Sequence, residues 1–579
     1  MKQLIKKGYQ LSKYIFFPLV LLLFPLVKVT RGVDLTDTAY SLGNYVFFDG
    51  TKDVWFLLTY ISNAIGHLFT RLPFGSTMVG MKVYGSLVIS VMAIFGYRFF
   101  MTKMPAWLAF LAEVLAIGMC WAPNCILYNY LTYMFLLAAC VMLFRGLAGT
   151  NRSRCLVYAG MLLGINTFVR FPGNGLEVLL IFALWYYGVI RKEDFSLVFK
   201  QTMLCLLGYV ISFGLILLAL SLSYGTGTFG TMIAGVFGIS SANSEYTFGQ
   251  MLLMILDAYW HGFRWALYMI ICVLPGIPFM VLWPNKYIKL RKVVYCICIG
   301  LLFFVLYKWG MFTFKYYQKE SVLQWGAIFL LISIVGSIWM MASKSINYDW
   351  KLIACISLVV ILITPLGSNN YIWPVLNNLF FIAPVTFWIV YKFVRWGRGY
   401  LDVTKKVPLF SSKAMLAAVL IAFFIQAVGI GFGYIFLDGE DGSKLDTTVT
   451  NNTVLKGSKT TLDNAYALSE ISEYFLVNDL SKDRSLILYG DIPGLSYYLD
   501  MPSALNTSWS DLGSNPVENM QRAIDKIDAD NVNERPIVII SRALYEMPDN
   551  SIKFDLINKY IENNDYQTTF MNDRFVVYE

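Results

Sequence analysis

Histidine is nearly missing from this chain: 579 residues contain two, His67 and His261, and charged residues make up only 14%. A soluble globular domain is about a quarter charged, so an ordinary soluble protein is excluded. The nine cysteines (Cys120, Cys125, Cys140, Cys155, Cys205, Cys272, Cys296, Cys298 and Cys355) all precede residue 438 and sit in or beside apolar segments, as small buried residues do. Cys296-Ile297-Cys298 lacks the spacing and the histidine partners of a zinc site, so no metal and no cofactor is expected. With no cysteine after residue 437, no disulfide framework holds the C-terminal part. The chain also lacks an internal repeat of the inverted-transporter kind. Its first apolar run is not followed by a small-residue cleavage site, so no cleavable signal peptide is expected.

Hydrophobic residues account for 57% and the mean hydropathy is +0.58. Apolar runs of the length that crosses a bilayer recur at about 14–29, 79–99, 105–122, 125–144, 155–170, 174–190, 200–223, 264–284, 293–311, 321–342, 351–366, 373–391 and 413–437. That pattern predicts about 13 transmembrane helices, not a β-barrel. Lys2, Lys6, Lys7 and Lys13 place the N-terminus on the cytoplasmic side, and an odd number of spans then puts the tail outside. The loops assigned to the inner face carry Arg98/Lys103, Arg145/Arg152/Arg154, Arg191/Lys192, Lys286/Lys289/Arg291/Lys292, Lys344/Lys351 and Lys392/Arg395/Arg398/Lys405/Lys406. The other loops are poorer in Lys and Arg, as one consistent orientation in a plasma membrane requires.

Charge divides the chain at residue 437. Residues 438–579 hold 24 Asp+Glu against 12 Lys+Arg, whereas residues 1–437 hold 34 Lys+Arg against 13 Asp+Glu. The basic part is a membrane domain with charged loops, and nothing in it suggests nucleic acid. The tail opens with a Gly/Asp/Thr/Asn linker. It continues as a helix at about 460–477, strands at Ser485–Gly490 and Pro536–Ile540, a helix near 551–563 and a strand at Arg574–Tyr578. Such alternation predicts a small extracytoplasmic α/β domain of one core.

Two stretches are too polar to span and read as outer loops, 30–78 and 224–263. The first alternates aromatic and polar residues with a helical period and is expected to lie in the interface as amphipathic helices. It opens with Asp34 and Asp37. Either carboxylate could N-cap the following helix, or serve as a general base that takes a proton from an acceptor hydroxyl. An outer-face transferase has no nucleotide to hand, so an activated sugar would arrive on a lipid phosphate. Arg170, His261, Arg264, Lys315 and Lys319 lie at outer span ends, where they could hold that phosphate or simply snorkel to the interface.

The layout is a short inner N-terminus, one span, a long outer loop opening with Asp, many spans and a soluble outer domain. It resembles the GT-C superfamily of polytopic glycosyltransferases, most closely the protein-mannosyltransferase and aminoarabinose-transferase branch. Asp37-Thr38-Ala39-Tyr40-Ser41-Leu42 resembles that branch's Asp-Glu-(Ala)-Tyr-Tyr-Leu signature, with Thr38 where an acidic residue often follows the Asp. The stretches Asn129–Tyr133, Gly164–Pro172 and Leu488–Leu499 are similar to segments common in these enzymes. The Trp-Trp-Asp signature of oligosaccharyltransferase catalytic subunits is absent. The resemblance implies a GT-C-like fold and inverting transfer from a polyprenyl-phosphate sugar, often with no required metal. The acceptor would be a glycan, lipid or protein at the outer face. Asp37 matches the catalytic aspartate, Asp34 is the reserve, and Arg170, His261, Arg264 and Lys315 are the expected donor-phosphate ligands. A lipid-linked-oligosaccharide flippase, or an inert scaffold for polysaccharide assembly, is the alternative reading.

Overall fold

A computed structural model describes residues 2–49, 54–149, 152–239, 248–282, 285–368, 370–395, 409–480, 484–529, 535–548 and 551–579. The chain is an integral membrane protein: an α-helical bundle carrying a small C-terminal α/β domain. Among the described residues, nine helices are long and apolar enough to cross a membrane. They are Lys7–Lys28, Met78–Phe100, Tyr128–Ala148, Gly173–Arg191, Phe195–Tyr224, Gly249–Val281, Ile288–Lys308, Lys319–Ala342 and Phe410–Gly433. The other four expected spans fall on shorter pieces: Ala106–Gly118, Arg152–Thr167, Tyr348–Ile363, and Trp373–Asn377 followed by Ile382–Arg395. A 16-residue helix rises about 24 Å, less than the roughly 30 Å of hydrocarbon. Among the described residues, these four segments are helical over less than the hydrocarbon thickness.

The expected outer loop 224–263 is mostly helical among the described residues. After Gly225 (φ 98°) the chain forms the helix Thr228–Ile239, and from Phe248 a 34-residue helix continues to Val281 through Pro275 and Pro278. Residues 240–247 lie outside the described residues, as do Arg398, Lys405 and Lys406 of the basic loop 396–408.

With lipid on one side there is little hydrophobic drive between spans, so close packing of small residues takes its place. Helix Arg152–Thr167 packs along Phe195–Tyr224 in this way. A Cβ on Gly160 would stand 1.8 Å from the Cys205 carbonyl oxygen, and one on Gly208 2.1 Å from that of Val157. Alanine at either position would push the backbones apart. Polar groups inside this part are bonded across helices: Asn166 Nδ2 donates to Glu177 Oε2 (2.6 Å) and Asn174 Nδ2 to Thr132 Oγ1 (2.8 Å).

The stretch 30–78 forms the helices Asp37–Val46, Val54–Leu58 and Tyr60–Thr70. In the C-terminal domain a two-stranded hairpin, β1 (Thr447–Thr448) with β2 (Lys459–Thr460), precedes a four-stranded sheet. Its strands are β3 (Leu486–Tyr489), β4 (Ile537–Ser541), β5 (Thr568–Met571) and β6 (Phe575–Tyr578), in the order β3-β4-β6-β5. β3 and β4 are parallel; β4/β6 and β5/β6 are antiparallel. Both faces of β3, β4 and β6 are covered, which is why these three strands are continuous apolar runs. Leu486, Leu488, Ile537 and Ile539 pack under helix Leu462–Val477. Ile487, Val538 and Ile540 pack under Val517–Ala529 and Ile552–Asn563.

The first face does not stop at the domain edge. The same apolar cluster continues into Val33, Leu35, Ala39, Leu42 and Tyr45 of the first loop. Backbone bonds stitch the two together: Gly32 N–H donates to the Lys459 carbonyl (2.7 Å), Lys459 N–H to that of Thr30 (2.7 Å), and Gly494 N–H to that of Leu35 (2.7 Å). The soluble domain is thus built onto the loop that carries Asp34 and Asp37.

Candidate functional site

Helix Asp37–Val46 begins with its first backbone N–H groups unpaired, as every helix does. Asp34 supplies the partner. Its Oδ1 accepts from Thr36 N–H (2.8 Å) and Thr36 Oγ1 (2.7 Å), and its Oδ2 accepts from Thr38 N–H (2.8 Å). Asp34 is buried, so its carboxylate is spent on the helix start. The capping function that either aspartate could have filled belongs to Asp34.

Asp37, the first residue of the helix, is left with no hydrogen-bond or ion-pair partner among the described residues. Its side chain is exposed to solvent, with protein packed around it. That desolvation, reinforced by the nearby negative charge of Asp34 and opposed by Lys319, raises its carboxyl from 3.8 to about 7. A helix N-terminus favours a carboxylate, but here burial and like charge outweigh it.

Lys319 opens the 3-10 turn before helix Leu323–Ala342. Its ammonium lies over three aromatic rings, 4.9 Å from the centre of Trp121, 5.8 Å from Trp373 and 5.9 Å from Phe436. The Trp121 indole N–H donates to the Trp373 carbonyl (2.9 Å), fixing two walls of this cage. Cation–π contacts hold a cation in place without supplying a counter-charge. Alongside, Lys82 donates to the carbonyls of Arg31 (2.7 Å) and Gly32, and Lys28 to that of Tyr434 (3.0 Å). These cations and Asp34 border a cavity of about 30 Å³, the space of a single water.

The other expected ligands are scattered. Arg170 donates to the Gly367 carbonyl (2.9 Å) and lies over Tyr128. His261 turns its Nδ1 to its own helix, 2.9 Å from the Asp257 carbonyl and 3.2 Å from Asp257 Oδ1. Arg264 is exposed one turn further along the same helix. Lys315 is exposed in the segment that leads to Lys319. Among the described residues no hydrogen bond, ion pair or ring contact joins any of these four to Asp37, and no group of three or more His, Cys, Asp or Glu is placed to hold a metal ion. Lys319 is one of five span-end cations that the sequence offers without singling it out, and Trp121 is a partner that it does not offer. Their only sequence signal is position at an apolar segment's end, because the cage is assembled from residues 121, 319, 373 and 436.

No family model matches the chain, and no curated protein matches it. Among solved structures it is similar to ArnT from Cupriavidus metallidurans bound to undecaprenyl phosphate, at 12% identity over 97% of each chain with a TM-score of 0.41. It is likewise similar to the same protein in the apo state, at 13% identity over 97% of each chain and a TM-score of 0.41. A third similarity is to the Archaeoglobus fulgidus oligosaccharyltransferase in complex with Zn and sulfate. There the identity is 10%, 91% of this chain and 68% of that one are covered, and the TM-score is 0.46.

Proposed function

We propose that this protein is a glycosyltransferase that moves a sugar from a polyprenyl-phosphate donor to an acceptor at the outer face of the membrane. The observation that carries the reading is Asp37: a water-accessible, unpartnered carboxylate held near neutrality beside a caged lysine. A general base works best with a pKa close to the operating pH.

In this mechanism Asp37 takes the proton of an acceptor hydroxyl as that oxygen attacks the anomeric carbon. The bond from that carbon to the phosphate oxygen breaks, and polyprenyl phosphate leaves with the electron pair. Lys319 offsets the charge gathering on the phosphate, the electrostatic contribution that dominates such transfers. Lys315, four residues before it, shares that task. Arg170 and His261, engaged by Gly367 and Asp257, contribute less, and Arg264 stands on a different helix from Lys319. Asp34 acts through Asp37 as a positioning residue. The interfacial helices after Tyr40 keep bulk water out while the lipid enters from the side.

The test is reconstitution in liposomes with a panel of polyprenyl-phosphate sugars, following release of the lipid phosphate. Acceptor-dependent release from at least one donor supports the reading. No release from any member of the panel rejects it.

A further inference from the structure

Between the soluble domain and the membrane part lies a cleft of about 430 Å³, within the usual size of small-molecule sites. The soluble domain lines it with Asn506, Thr507, Trp509 and Ser514. The facing wall is Trp55 of helix Val54–Leu58, with Thr231 and Gly235 of helix Thr228–Ile239. Both indoles are fixed by their N–H groups: Trp55 donates to Ser514 Oγ (2.8 Å) and Trp509 to Asp491 Oδ1 (3.2 Å). Their rings therefore line the cleft as rigid plates. The exposed amide of Asn506 has no protein partner among the described residues.

The lining is almost free of charge. Among the described residues, Arg522 is its one ionised side chain, already engaged by Asn519 Oδ1 and the Glu518 carbonyl, and no carboxylate lines the cleft. Flat aromatic faces set among amides and hydroxyls match the two sides of a pyranose, apolar C–H above and below and hydroxyls at the rim. They do not match an ionic ligand.

The cleft also reaches the Asp37 helix. The Trp509 ring meets Tyr40 edge-on at 5.5 Å, and Thr507 Oγ1 stands 3.5 Å from the Tyr40 hydroxyl. Tyr40 is three residues after Asp37, so the two side chains are neighbours on one helix face. We infer that this cleft binds a neutral oligosaccharide and, resting on the transferase reading above, that the bound glycan is the acceptor, its reactive hydroxyl directed along Tyr40 to Asp37.

The experiment is isothermal titration of the full-length protein in nanodiscs. The probes are neutral trisaccharides of glucose, mannose and galactose and, in parallel, trisaccharides ending in a uronic acid. Binding of at least one neutral trisaccharide is expected, weakened about tenfold in Asn506→Ala and at least as much in Trp509→Ala, the loss one ligand hydrogen bond or stacking plate can cause. Asn506 bonds to nothing among the described residues, so its variant is informative even if Trp509→Ala misfolds. Failure of every neutral probe to bind, binding of the uronic acids alone, or unchanged affinity in Asn506→Ala would overturn the assignment. The transferase reading fails separately. Neutral binding that Asn506→Ala weakens, in a preparation that releases no lipid phosphate from any donor, would keep the cleft and discard the reaction.

Discussion

The phenol of Tyr498, in the soluble domain, donates to the backbone carbonyl of Asp34 in the first loop. The hydroxyl next to it in sequence, on Tyr497, is buried without a partner among the described residues. Removing the two has opposite consequences. Tyr498→Phe strands the Asp34 carbonyl in the interior and costs about 1–3 kcal/mol, whereas Tyr497→Phe removes an unsatisfied group and is neutral or stabilising. Melting temperatures of the purified variants check this, and a Tyr498→Phe protein as stable as wild type would contradict it.

Asp37 makes activity and stability depend on pH in opposite directions. As a base it must be ionised, so turnover rises with pH through an acid limb near 7. Its folded pKa lies above the ordinary 3.8, so the folded state holds a proton that the unfolded state releases. The associated stability is present below about 4 and is lost as pH rises through about 7. Melting curves across pH 4–8 should show this loss in wild type and a smaller one in Asp37→Asn.

Asp34→Asn removes the negative charge that helps raise Asp37 while keeping an oxygen for the cap. The acid limb of turnover should move to lower pH, with a stability loss of about 1–3 kcal/mol because the amide nitrogen replaces one of two accepting oxygens. An unmoved limb would show that Asp34 does not act on Asp37.

Lys319→Met should do the reverse. Losing the cation that favours ionised Asp37 moves the limb to higher pH, and the KM for the lipid donor rises. Lys319→Arg should restore part of both, because a guanidinium also stacks within an aromatic cage. Wild-type kinetics in Lys319→Met would exclude it from the site.

Apolar length made most helices legible in the sequence, and the continuous runs at Leu486–Tyr489 and Ile537–Ile540 made the sheet core legible. Helices that carry polar residues are harder to recognise. Asp257, His261 and Arg264 inside Phe248–Val281, with Gly225 and Gly227 before Thr228, gave a helical stretch the look of a loop. The strand Thr568–Met571 is mostly exposed, so no apolar run marks it. At the site, two aspartates three residues apart cannot be told apart by composition. Only the hydrogen bonds to Thr36 and Thr38 separate the cap from the free carboxylate. Lys319 gains meaning from Trp121, Trp373 and Phe436, contacts too distant in the chain to be read from spacing.

The proposed reaction turns on one step, transfer of the acceptor's proton to the Asp37 carboxylate. Its most direct test is turnover of Asp37→Asn, in liposomes with a polyprenyl-phosphate sugar that wild type uses, alongside its melting temperature at pH 8. Loss of a general base predicts a rate at least about a hundredfold lower, in a protein that melts no earlier than wild type. Turnover within about twofold of wild type would contradict the account.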